Sequence, residues 1–267
     1  MEIVQSIDLF ESLLTSHNKK EVISNFYMLI DEYSKYINNR NLFYYKDEQN
    51  LYLYLDKHDF LKLYYFVNDI NRPYCNYMDL PQVIEIVYRG EKKFPTRHID
   101  FWNKSGFSQH LSRDCYFLKN KNIPITLQKS NINIKNAKTE NDLLFSKKLI
   151  EENLDIYTGD QLSLQELKSF ADANLLYIAY QEDKLCGVLQ VDFKNGVFWL
   201  GHIVIEKSFR GKGIAKVLVE YYLKAGIKRG CNLFQLWVIQ ENIPAVNLYK
   251  KFGFNYLNKS TYSMLKK

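Results

Sequence analysis

His202-Ile203-Val204-Ile205-Glu206-Lys207-Ser208-Phe209-Arg210-Gly211-Lys212-Gly213-Ile214-Ala215 decides how this chain is read. Four apolar-rich residues make a strand, a short polar stretch follows, and R-x-x-G-x-A runs straight into a helical pattern over Gly213 to Lys228. A helix start carries unpaired N–H groups and the positive end of the helix dipole. Glycines let an anion come close to those groups and supply unusual backbone angles. Arg210 and Lys212 add positive charge. The stretch therefore reads as a phosphate-binding turn. Neither G-x-x-x-x-G-K-[ST] nor G-x-G-x-x-G is present, so the common nucleotide loops are excluded.

Working outward, the second half reads as β-α-α-β-β-β-α-β-α-β. Ile132–Lys135 is strand, with a start at Ile125-Thr126-Leu127; Asp142–Asn153 and Leu164–Ala173 are helices. The second of these opens with Ser163 and Glu166, a capping-box pair. Leu175–Tyr180 and Leu185–Phe193 form a hairpin, and Gly196–Ile205 is a buried strand. Leu233–Val238 is strand, Ile243–Phe252 helix and Phe254–Leu265 strand.

The first half opens with helical spacing over residues 2–16 and again over Glu21–Tyr36. It turns strand-like at Leu51–Leu55 and Phe60–Val67, a hairpin about Lys57-His58-Asp59, and then at Val83–Tyr88. Asp100–Asn103 is a short helix ending near Gly106, and Asn120–Pro124 reads as a connection between domains. The halves rhyme. Tyr52–Val67 parallels Tyr177–Asp192 at an offset of 125, and Phe101–Phe107 parallels Leu248–Phe254 at 147. The difference of 22 is about the size of the loop and helix around Arg210–Ala225. A first copy that lost its cofactor-binding segment accounts for this. Arg89-Gly90-Glu91, the nearest match there, lacks the second glycine and a following helix. One cofactor per chain is therefore expected. The first half is read as packing against the second and shaping a cleft there, its aromatic residues serving mainly as core.

The bulk numbers agree. A chain of 267 residues suits about two domains. Apolar residues at 46% allow a large core, and the net charge of +6 suits an anionic ligand. That charge is too diffuse for nucleic acid, which needs a basic stripe or a known motif. Cys75, Cys115, Cys186 and Cys231 form no C-x-x-C pair and have no His at metal-ligand spacing, so no metal is expected. Free thiols suit a reducing cytoplasm. No leader pattern and no membrane-length apolar run is read.

At this point residues 130–267 resemble the GCN5-related N-acetyltransferase (GNAT) family. Val204–Ala215 matches its R/Q-x-x-G-x-G/A element. Asn242-Ile243-Pro244-Ala245-Val246-Asn247-Leu248-Tyr249-Lys250-Lys251-Phe252-Gly253-Phe254 matches its N-x-x-A-x-x-L-Y-x-K-x-G-F signature. Ala215 replaces the commoner Gly, and Lys207 stands where Pro is frequent. The resemblance implies an α+β fold with a mixed, mostly antiparallel sheet flanked by helices, in tandem with a degenerate N-terminal copy. Domains are expected at 1–124 and 125–267. It further implies transfer of an acetyl or short acyl group from acetyl-CoA to a primary amine by direct attack.

Under that resemblance, backbone groups of Ile203, Val204 and Ile205 meet the pantetheine arm and the acetyl carbonyl. Amides of Arg210, Gly211, Lys212, Gly213, Ile214 and Ala215 hold the pyrophosphate. Asn242 and Ala245 lie along the cofactor, and Tyr249 protonates the departing thiolate. Glu206 and His202 are the candidate bases, beside a water chain with no dedicated base. A small-molecule or protein amine is the expected acceptor, and a homodimer the assembly considered; neither nucleic acid nor membrane is expected. The rival from another class is a catalytically idle acyl-CoA sensor or scaffold.

Overall fold

The computed structural model describes residues 1–75, 79–120 and 131–267. The expected linker at 121–124 and the strand start at Ile125–Leu127 lie outside the described residues. The chain forms two compact units, Met1–Ser112 with Lys259–Lys267, and Arg113–Asn258.

In the first unit, β1 (Glu2–Ile3), α1 (Ile7–His17), β2 (Ile23–Ser24), α2 (Ile30–Asn38), β3 (Leu42–Lys46), β4 (Leu51–Asp56), β5 (Leu61–Val67), β6 (Gln82–Tyr88) and α3 (Thr96–Lys104) follow in order. The strand β7 (Ser108–Lys119) leaves this unit at its end. The second unit continues with β8 (Ile132–Asn136), α4 (Glu140–Asn153), α5 (Leu164–Asp172), β9 (Leu176–Gln181), β10 (Lys184–Lys194), β11 (Val197–Ile205), α6 (Ile214–Lys228), β12 (Leu233–Ile239), α7 (Ile243–Lys251) and β13 (Asn255–Lys266). The expected element order of this half is reproduced, including the Ser163–Glu166 capping box.

Two helices expected near the N-terminus are shorter than the periodicity suggests. Ser6 caps α1, its Oγ accepting from Leu9 N–H at 3.2 Å, while Glu2 and Ile3 pair with Tyr44 and Phe43. Ile23 and Ser24, read as helix, are drawn into strand by pairing with Val67 and Phe66. Strands β3 and β7 were not anticipated at all.

In the first unit's sheet, β4 and β5 carry Leu51, Leu53, Leu55 and Phe66 against α1 and α2. Their other face carries Tyr52, Tyr54, Leu63 and Tyr65 against α3. Trp102 of α3 is fully buried there, its ring centre 4.8 Å from Tyr65 and 5.0 Å from Tyr74. The aromatic surplus is core. In the second unit, β11 and β12 turn Phe198, Leu200, Phe234 and Leu236 toward α6 and α7. Ile178, Val188 and Val204 face α4 and α5. Gly226 allows α6 to sit close: an added Cβ would lie 2.3 Å from the Phe234 ring and 2.7 Å from that of Phe198.

The two units share a plan. Each has one parallel pair among antiparallel neighbours, β5 with β6 and β11 with β12. Each ends on the same helix–glycine–strand turn. Gly106 has φ 86 and Gly253 φ 85. Phe107 N–H donates to the Trp102 carbonyl at 3.0 Å, and Phe254 N–H to that of Tyr249 at 3.1 Å. This left-handed position favours glycine. The parallel pair corrects the internal alignment: β4–β5 corresponds to β10–β11, one hairpin later than the expected match at Tyr177. Alternating apolar strands fit several registers, and only the parallel neighbour fixes which is right. The parallel crossover is fourteen residues in the first unit (68–81) and twenty-seven in the second (206–232). The extra length carries the glycine loop and α6.

The expected boundary at 124/125 is also corrected. From Arg113 to Lys119, β7 pairs antiparallel with β12 and belongs to the second unit. From Ser260 to Lys266, β13 pairs with β6 and belongs to the first. Each half thus ends on a strand that completes the other half's sheet, so a single cut in the chain cannot separate them. Among the described residues no helix is long and apolar enough to cross a membrane.

Candidate functional site

The predicted residues lie where β11 and β12 part. The two strands pair in register from Val197–Leu233 to Leu200–Leu236. Beyond that, Gly201–Ile205 keep β10 on one edge and, among the described residues, have no strand on the other. Tyr222 of α6 marks the fork. Its buried hydroxyl lies 2.5 Å from the Phe198 carbonyl on β11 and 3.2 Å from the Gln235 carbonyl on β12.

A bulge then re-aims the strand. Gln190 opposes His202 and Val191 opposes Leu200, leaving Gly201 as the extra residue. The Gln190 carboxamide packs so closely on Gly201 that an added Cβ would overlap it at 1.8 Å. Phe198 and Leu200, before the bulge, face α6; Val204, after it, faces α4 and α5. A bulge of this kind reverses which face a side chain takes. His202 follows Val204, as expected from alternation, and its Nε2 meets the Asp160 carbonyl at 3.2 Å. Burial, the larger influence, and the Arg113 guanidinium hold the imidazole below its ordinary range; Asp160 and the Gly201 carbonyl oppose them. It stays neutral at pH 7.

Ile203 and Ile205 pack toward the α6 and α7 core. After Ile205 the chain turns through one 3-10 turn, Lys207–Phe209. Glu206 caps that turn, taking the Ser208 amide at 2.8 Å and the Ser208 hydroxyl. The Ser208 hydroxyl chiefly holds its carboxyl below the usual carboxylate range. Arg210 donates from Nε to the Ile205 carbonyl at 3.1 Å and from Nη2 to Asn153, bracing the strand end. Lys212 lies over the Phe209 ring at 4.9 Å.

Gly211 and Gly213 have φ 76 and 78, and a Cβ on either would meet nothing within 4 Å. Gly213 is the N-cap of α6 and offers no side-chain acceptor. Ile214 is buried and anchors the first turn; Ala215 follows it. The loop therefore has open space beside both glycines at a helix start, a setting that fits an anion such as a diphosphate.

From α7, Asn242 accepts the Ala245 N–H at 3.2 Å, so the second signature begins as a helix cap. Ala245 and Tyr249 join the same core as Ile203, Ile205 and Ile214. Burial raises the Tyr249 phenol above its usual range. Trp102 occupies the matching place in the first unit. An open groove of about 510 Å³ lies at the far end of α7, lined by Asp114, Tyr116, Lys250 and Tyr256 among others; no predicted residue lines it. Among the described residues, no group of three His, Cys, Asp or Glu is placed to hold a metal.

Sequence reading missed Arg113 and the connection 154–163 that His202 touches. Their only sequence signal was Gly201, whose bulge points His202 that way.

Residues 145–254 match the acetyltransferase (GNAT) family model. Streptothricin acetyltransferase of Escherichia coli is 28% identical over 120 residues, 40% of this chain and 69% of that protein. Other curated relatives are spanned over less than half of their own length. A GCN5-related N-acetyltransferase from Sphaerobacter thermophilus superposes with a TM-score of 0.59 at 15% identity, over 81% of this chain and 76% of that one. A tandem GNAT protein from the clavulanic acid biosynthesis pathway gives 0.54 at 11%, over 81% and 78%. Residues 145–254 thus carry the match to the GNAT acetyltransferase family, and the chain is similar in fold to GNAT structures, a tandem one among them.

Proposed function

We propose that the second unit transfers an acetyl or other short acyl group from acetyl-CoA directly to a primary amine. The observation that carries this is the edge of β11 at Gly201–Ile205, which has no strand partner among the described residues and leads through the 207–209 turn into the glycine loop Arg210–Ala215. Peptide-like groups of pantetheine pair with Ile203–Ile205 as a strand would. The pyrophosphate rests on the loop amides, with Lys212 adding charge. Asn242 and Ala245 border the cofactor from α7.

The amine nitrogen attacks the thioester carbon, the C–S bond breaks, and coenzyme A leaves as a thiolate. Tyr249, kept protonated by burial, donates its proton to that sulfur. The amine's proton goes to water or to His202, which is neutral and faces away from the cofactor loop. Glu206 is the weaker candidate, because a carboxylate committed to Ser208 is a poor proton acceptor at neutral pH. The first unit is the cofactor-free copy. Four free thiols support a reducing compartment such as the cytoplasm.

The test is thiol release from acetyl-CoA across a panel of amines. Tyr249→Phe is expected to lower kcat roughly 100-fold with the acetyl-CoA Kd unchanged. Failure of every amine, while acetyl-CoA still raises Tm, would leave an idle binding module instead.

A further inference from the structure

The acceptor side of the site is held by a residue from the strand that the first half sends into the second unit. Arg113, the first residue of β7 in that unit, donates from Nη1 to the Thr158 carbonyl at 3.0 Å. His202 on β11 meets the Asp160 carbonyl, two residues on. Both carbonyls belong to the connection 154–163 between α4 and α5. Asp155 ties the start of that connection, its carboxylate taking the N–H groups of Tyr157 (3.0 Å) and Thr158 (2.8 Å). Asp160 has φ 48, a left-handed angle that Asp adopts more readily than most non-glycine residues. The two side chains from the sheet, Arg113 and His202, meet the carbonyls on this turn.

On the acyl-transfer reading, the two substrates approach β11 from opposite faces. The cofactor path follows the α6 and α7 side of β11. The Gly201 bulge turns His202 to the opposite face, where the 154–163 connection stands. An amine reaching the thioester from that face passes between His202 and this connection.

We propose that Arg113 is a positioning residue that fixes the 154–163 connection against His202 and so sets acceptor binding. The role rests on the acyl-transfer reading above. The charged groups facing His202 are Arg113 from β7 and Asp160 from the connection. Removing Arg113 also removes a positive charge that disfavours the imidazolium, so the imidazole should protonate at higher pH.

The experiment uses the full chain with Arg113→Ala and Arg113→Gln. Each is measured for acceptor KM, acetyl-CoA Kd, the acidic limb of kcat/KM, and the NMR titration of the His202 ring, assigned with His202→Gln. Arg113→Ala should raise acceptor KM roughly tenfold, with acetyl-CoA Kd within about twofold. The acidic limb and the ring titration should move together to higher pH. Arg113→Gln keeps a donor without charge: its KM should be intermediate and its titration shifted. Unchanged acceptor KM together with an unshifted ring overturns the proposal. If Arg113→Ala does not fold, an unshifted ring in Arg113→Gln does so alone. Absence of thiol release by the wild type would sink the reaction and the acceptor role, while the ring titration would still decide whether Arg113 acts on His202.

Discussion

The two units open the same fork in their sheets and fill it differently. In the second, β11 leaves β12 after Leu200, and its free edge leads to the glycine loop. In the first, β5 leaves β6 after Lys62, and the chain closes the gap itself. Asn25 is the plug. Its Nδ2 donates to the Leu63 carbonyl at 3.0 Å and the Glu85 carbonyl at 3.2 Å, and its Oδ1 accepts the Tyr65 N–H at 3.0 Å. Just beyond, β2 pairs with Phe66 and Val67. Where the second unit has its glycine loop, the first unit has a segment of its own chain taking the hydrogen bonds that the fork exposes. Unpaired buried backbone groups are costly, so an abandoned fork has to be closed.

The severest test of this comparison is to cut the chain where its sequence suggests. A fragment of residues 125–267 lacks β7, leaving the edge of β12 bare and Phe234 and Leu236 poorly covered. We expect no cooperative thermal unfolding and no acetyl-CoA binding by calorimetry. A folded fragment with native affinity would show that strand exchange is dispensable.

Next in size is the plug. Asn25→Ala strands three buried backbone groups and should cost about 4 kcal/mol in denaturant unfolding. Calorimetric stoichiometry should remain one acetyl-CoA per chain, because the first unit has no glycine loop. Binding of a second equivalent would mean that Asn25 alone separates the two forks.

Acid should weaken the first unit through His98. Burial chiefly, and Arg97 secondarily, lower this imidazole to about 4, and the Tyr65 hydroxyl lies 2.7 Å from its Nδ1. The unfolded chain binds the proton below its ordinary value of 6.5, whereas the folded chain resists until about 4. Stability therefore falls as pH drops through that window, by about 3 kcal/mol at most. Denaturant midpoints against pH should flatten in His98→Gln; an unchanged slope would exclude His98 as the source.

The smallest effect is expected at the loop. Gly213→Ala, at φ 78, should weaken acetyl-CoA about tenfold while shifting Tm by a few degrees. Equal affinity would show that the loop tolerates a side chain and that its glycines are not what admits the phosphates.

Much of this was legible beforehand. The α6 loop, the Asn242–Phe254 signature and the order of the second half follow from local signals: glycine at a left-handed turn, a cap, a change of hydrophobic period. The strand Ile23–Ser24 was hidden inside a helical spacing, because its conformation is set by Phe66 and Val67. The internal repeat was detected one hairpin out of place, since alternation alone does not distinguish β9–β10 from β10–β11. Glu206 reads as a base by position and folds as a cap.

The sequence by itself determined the glycine loop, the helix that follows it, and a first half that lacks such a loop. These rest on backbone angles and capping within a few residues. The tertiary structure decided that the copies exchange their last strands, that Asn25 closes one fork, and that Arg113 and His202 grip the 154–163 connection. Those depend on hydrogen-bond partners far apart in the chain, which no local pattern specifies.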